Sequence, residues 1–245
     1  IHHLLIKNAN IEIFNEKRIH KNADYVAPIP NDLVRNKMID FQIDSIFANN
    51  ATIFYKEQVM NSDSVGVISF HKTDLTLANL HNQSNYGHFP LLIKGNSLFM
   101  NKGLLKLNLE FDLFSKKLQC HYSATLENMS VMPLNQILSP NSIIALKKGE
   151  IKQIKVDGIM FGNENKGNMF AKYKNIRIEL YQKKARKDKL KILSVLGNML
   201  LNNTQRQRKK SKIYYVKDQQ DSFIKFLWLG IKNGLENTLL PMKKN

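Results

Sequence analysis

A chain of 245 residues with 43% hydrophobic and 23% charged residues is long enough to bury a core and too apolar to be disordered throughout. Its net charge of +17 favours phosphate-bearing partners, nucleic acid or anionic lipid headgroups, without choosing between them. A single cysteine, Cys120, excludes an internal disulfide and a cysteine-based zinc site.

The opening Ile1-His2-His3-Leu4-Leu5-Ile6-Lys7 reads as mid-domain sequence, so a piece of a longer protein is expected. His2 and His3 alternate across a strand and read as structural. Ile11-Glu12-Ile13 continues the alternation. Tyr25 to Asn36, with Pro28 and Pro30, predicts a loop leading into a short helix. Ile39-Asp40-Phe41-Gln42-Ile43-Asp44 and Leu75-Thr76-Leu77 have period two, the mark of a strand with one apolar face. His81 and His88 flank a polar loop without an acidic partner, so no metal site is expected there.

Asn101-Lys102-Gly103 predicts a hairpin turn. After it, Leu105, Leu107, Leu109, Phe111 and Leu113 alternate with Lys106, Asn108, Glu110 and Asp112, and the strand-like run covers 102–114. Cys120 and His121 are adjacent on a strand and point to opposite faces, giving a buried thiol beside a solvent-facing imidazole. Met132 to Ile144, with two prolines, predicts a short helix or turn. Asp157-Gly158 and Gly162 to Gly167 are weaker turn signals. Ile176-Arg177-Ile178-Glu179-Leu180 is the last strand before the pattern changes. One-sided alternation points to antiparallel sheet.

Beyond Tyr181 the period becomes helical. Residues 185–203 set Ile192, Val195, Leu196 and Met199 on one face. Ile213-Tyr214-Tyr215-Val216 is a strand, and Asp221-Ser222 caps a helix carrying Phe223, Phe226, Leu227, Ile231 and Leu235, ended by Pro241. The charge follows this division: residues 1–182 hold 21 basic and 16 acidic residues, a net +5, and residues 183–245 hold 16 and 4, a net +12. The expected fold is mainly β (α+β): a long antiparallel, strongly curved sheet or open β-groove over 1–182, with a basic helix-strand-helix cap over 183–245 that supplies two amphipathic helices.

No Gly-x-Ser-x-Gly, phosphate loop or dinucleotide glycine motif is present, so no enzyme, cofactor or metal is expected. Asp40, Asp44, Glu110, Asp112 and Glu179 fall on wet strand positions and read as solvated. The basic runs contain no aromatic residue for base stacking, so nucleic acid is not the expected partner. Six cations in nine residues, Lys183, Lys184, Arg186, Lys187, Lys189 and Lys191, beside an apolar helical face fit a membrane headgroup surface better. No apolar run reaches the roughly 20 residues of a spanning helix.

Ile43-Asp44-Ser45-Ile46, Asn50-Ala51-Thr52-Ile53, Tyr55-Lys56-Glu57 and Gly66-Val67-Ile68-Ser69-Phe70 follow in an order that resembles the AsmA-like proteins of Bacteroidota, those with DUF748-type regions among them. Leu134 to Leu138, Lys148-Gly149-Glu150-Ile151, Met169 to Ile176, Leu193 to Asn198 and Tyr214 to Asp218 extend the likeness over most of the chain. Asn175 stands where the family pattern has an acid, and Gly197 where it has Ala. The resemblance implies the C-terminal region of a longer periplasmic protein, anchored to the inner membrane through an N-terminal segment absent from this chain. It further implies lipid transport in outer-membrane biogenesis, with phospholipid, the membrane surface and envelope proteins as partners.

On that reading the apolar sheet face holds acyl chains, each buried methylene contributing about 0.8 kcal/mol. The candidate lipid-facing residues are Leu105, Leu107, Leu109, Phe111, Leu113, Ile176, Ile178 and Leu180. The alternatives are a structural or interaction module of envelope assembly with a closed core, and a nucleic-acid binder acting through the basic C-terminus.

Overall fold

The computed structural model of the chain describes residues 1–16, 24–58, 64–83, 89–141, 144–180 and 211–239. Its strands form one ten-stranded sheet. They are β1 (His3–Lys7), β2 (Asn10–Glu16), β3 (Gln42–Gln58), β4 (Gly66–His81), β5 (Leu91–Phe99), β6 (Gly103–Phe111), β7 (Gln119–Ser130), β8 (Ile144–Phe161), β9 (Glu164–Leu180) and β10 (Ser211–Val216). Three helices accompany them: α1 (Pro30–Arg35), α2 (Asn135–Asn141) and α3 (Phe223–Leu239). From β3 to β10 each strand pairs antiparallel with its sequence neighbour. β1 and β2 instead lie end to end along β3, both parallel to it.

The hairpin at Asn101 forms as the sequence predicts. Met100 and Asn101 both take positive φ, the geometry of a tight primed turn that matches the twist of its strands. The helix after the Pro28–Pro30 loop and the short helix after Met132 are present, and Ser222 caps α3 through Lys225 N–H. Other boundaries differ. The 39–44 run becomes strand only at Gln42, and β6 ends at Phe111 because Asp112 turns back on Phe114 N–H and Ser115 N–H. Asp157-Gly158 is no turn: it lies inside β8, where the ring of Tyr122 fills the space a Cβ on Gly158 would need.

Asparagine shapes the long strands. Six of the eight non-glycine residues with positive φ in the described chain are Asn, whose short polar side chain tolerates the left-handed region. Asn50 sits in the register shift between Ala48 and Ala51 of β3, and Asn175 lies opposite the shifts in β8. Such bulges move the following side chains to the other parity, so the apolar positions of β3 pass from Ile46 and Ala48 to Ala51, Ile53 and Tyr55.

One sheet face is apolar, and its two ends are sealed. At one end α3 and α1 cover Leu109, Phe111, Leu113, Tyr122, Met160, Met169 and Ile213, with Phe226 of α3 fully buried among them. At the other, α2 packs on β4 and β8 over Met100, Met129, Val131, Leu146, Ile151 and Ile176.

Candidate functional site

Between the sealed ends the apolar face carries a row that crosses the sheet from edge to middle. Strand register aligns Ile6, Ala48, Leu75, Gly95, Leu107 and Ala124 on six successive strands. Five interstrand steps of about 4.8 Å make it roughly 24 Å long. Beyond Ala124 the row continues under α3 as buried Val156 and Met169. Large side chains alternate with Ala and Gly, and Leu75 leans across Gly95. Ala48, Leu75, Leu107 and Ala124 are half-buried, and Ile6 on the edge is 40% exposed. A parallel row of Leu4, Ile46, Leu77, Ile93 and Leu109 adds apolar width. On β2, Ile11 and Ile13 are exposed on the same face, opposite Ile53 and Tyr55. Leu77, Ile93, Leu107 and Ala124 pack against the core cluster beneath α1 and α3, and α2 packs on β4, so the part of this apolar surface outside both clusters is Leu4, Ile6, Ile11, Ile13, Ile46, Ala48 and Leu75 on the first four strands.

The sequence-chosen positions divide across this map. Leu109, Phe111 and Leu113 are core beneath α1 and α3, and Ile176 is core beneath α2; protein side chains fill the space over them. Leu107 is half-buried within the row and packs against the core cluster, and Leu105 is half-buried beside it. Ile178 and Leu180 pair through their backbones with Leu146 and Ile144, but their side chains lie outside the described residues. So do Lys183, Lys184, Arg186, Lys187, Lys189 and Lys191 entirely. Sequence reasoning missed Ala48, Gly95 and Ala124. The available signal was Gly95 inside an otherwise strand-like run, which marks a close approach of side chain to backbone.

The opposite face is polar. It carries a depression of about 900 Å³ where β5 to β10 display Lys94, Glu110, His121, Asp157, Lys166 and Lys212. Its charges compensate one another. Lys166 donates to Glu164 at 2.8 Å, and Tyr214 hydroxyl donates to Glu164 at 3.1 Å. These bonds lower the Glu164 pKa, and the same contact with Glu164 raises that of Lys166.

Cys120 and His121 lie as expected on opposite faces, the thiol fully buried and pushed up to about 12 by that burial. His2 contacts Asp44 at 2.7 Å and His3 contacts Ser45 at 2.6 Å, both in structural roles. His81 is buried and stacks on Phe114; His88 is outside the described residues. Among the described residues no group of three His, Cys, Asp or Glu could hold a metal ion, and no helix is long and apolar enough to cross a membrane. No family model, curated protein or solved structure matches the chain.

Proposed function

We propose that the chain is a non-enzymatic lipid-binding segment of an AsmA-like protein, in which the uncovered row on the apolar sheet face is the floor of a groove for acyl chains. The observation that carries this reading is the row itself: apolar along its length, and outside both helix-sealed clusters from Ile6 to Gly95. An acyl chain spans about half of a hydrocarbon core roughly 30 Å thick, or about 15 Å, and the three interstrand steps from Ile6 to Gly95 make about 14 Å, a match for one chain. The row's side chains offer no hydrogen-bond donor or acceptor. A chain held there by area alone, at about 25 cal/mol per Å² of apolar surface buried, has no fixed register and slides. Passive transfer along a strand-crossing track needs that property.

The resemblance to AsmA-like proteins supports a periplasmic setting at the inner membrane, with the basic run from Lys183 to Lys191 towards the headgroups. A second reading, a closed-core interaction module, draws support from the two helix-sealed clusters, which are ordinary protein core. Solvent extraction of the purified chain, followed by mass spectrometry and challenge with a phospholipid bearing a fluorescent acyl chain, separates the two. Lipid binding predicts co-purifying phospholipid or saturable uptake of the probe; the closed module predicts neither.

A further inference from the structure

The two edges of the sheet are treated differently. On β10 two outer backbone groups are taken by α3: Tyr214 N–H donates to Asn233 Oδ1 at 3.0 Å, and Asn237 Nδ2 donates to Lys212 C=O at 2.9 Å. That edge is blunted against strand addition. No described element pairs with the outer side of β1 and β2. This edge has no proline, and it exposes Leu4, Leu5, Ile6, Ile11, Ile13 and Phe14. With one edge closed, sheet-to-sheet pairing of like chains has one mode: the β1–β2 edge against itself about a twofold axis, which closes at two copies.

The residues along the edge fit that mode. Ser45 N–H donates to His2 C=O, and Asn8 N–H donates to Asn49 C=O, so the backbones of His2 and Asn8 aim at β3. Alternation aims Leu4 and Ile6 there too, and leaves Leu5 and Lys7 facing outward. In β2, Thr52 N–H donates to Ala9 C=O, so Ile11 and Ile13 aim inward while Glu12 and Phe14 face outward. An axis between Ala9 and Asn10 sets Leu5 opposite Phe14 of the second copy, Ile6 opposite Ile13, and Lys7 opposite Glu12. Each pair shares a sheet face, outward-facing backbone meets outward-facing backbone, and the charges match. Glu12 already accepts from Lys56 at 2.6 Å, which holds its carboxylate in place beside the edge. A slip of two residues puts Leu5 opposite Glu12 or Glu16, and a slip of one puts every side chain opposite the wrong face. The kinked Asn8 falls beside the axis.

We infer that two copies of this chain join antiparallel through their β1–β2 edges in this register, making one sheet with a continuous apolar face. The inference does not depend on what that face binds. Sedimentation equilibrium of the 245-residue chain should give twice the chain mass, and Leu5→Lys, with unchanged circular dichroism, should give a monomer. Register is read by oxidative cross-linking. Ile6 and Ile13 form a non-hydrogen-bonded pair with Cα atoms about 4.5 Å apart, within disulfide reach, and the native Cys120 is buried. A mixture of Ile6→Cys and Ile13→Cys chains should cross-link where neither variant alone does. A wild-type monomer across the concentration range, a dimer indifferent to Leu5→Lys, or equal cross-linking of each variant alone would overturn the inference.

Discussion

At the scale of single residues, Asp221 ties the strand β10 to the start of α3. It is 1% exposed, accepts from Tyr215 hydroxyl at 2.9 Å and Asp218 N–H at 3.0 Å, and pairs with Lys225 at 2.6 Å. Burial raises its pKa, but the bonds from Lys225, Tyr215 and Asp218 outweigh it and hold the carboxyl below its ordinary 3.8. A depressed folded pKa contributes stability that is present above the unfolded value and lost as pH falls through the folded one. Asp221→Asn should therefore melt below wild type at neutral pH, and the gap should close as pH drops under about 4, read as Tm against pH. Asp44, Glu150 and Glu164 shift the same way but are solvated and screened, so they add little to that limb. Burial of Tyr215, with Asp221 beside it, pushes its phenol up to about 12, so it remains a donor throughout this range.

Elements dock through small residues and one buried polar node. Tyr122 hydroxyl donates to Asn165 Oδ1 at 2.7 Å, and Asn165 Nδ2 reaches Phe226 C=O of α3 at 3.4 Å. Gly230 faces Asn165, and a Cβ there would collide with the amide. Gly230→Ala should cost about 1–3 kcal/mol by overpacking, seen as a lower midpoint in urea, while raising intrinsic helix propensity. The alternation from Leu105 to Leu113 was legible in the sequence because a sheet face covered by helices demands period two. The parallel placement of β1 and β2 was not, since it rests on a contact more than forty residues away in the chain. Nor was the parity change at Asn50, because a bulge looks like a broken strand until its partner is known. Asp157-Gly158 misled for a related reason: its glycine serves the Tyr122 ring, not a turn.

Over the whole molecule, one face of one sheet divides into two parts. From β6 to β10 its apolar residues are protein core, sealed by α1, α2 and α3. On β1 and β2, and at Ile46, Ala48 and Leu75 of β3 and β4, the same face lies outside both clusters. Period two marks Leu109 and Leu75 alike as inward-facing; only the helices decide which is core and which is surface, and the helices dock through contacts distant in sequence. That is why an apolar face was readable and its uncovered part was not. The most direct test is equilibrium binding of a phospholipid with a fluorescent acyl chain to wild type, to Ile46→Asp/Leu75→Asp, and to Phe111→Asp. The uncovered-row account predicts that the Ile46/Leu75 variant stays folded, with a near-wild-type Tm, and loses at least about tenfold in affinity, equivalent to about 1.4 kcal/mol, while Phe111→Asp unfolds. Unchanged binding by a folded Ile46→Asp/Leu75→Asp chain, or its outright unfolding, would contradict it.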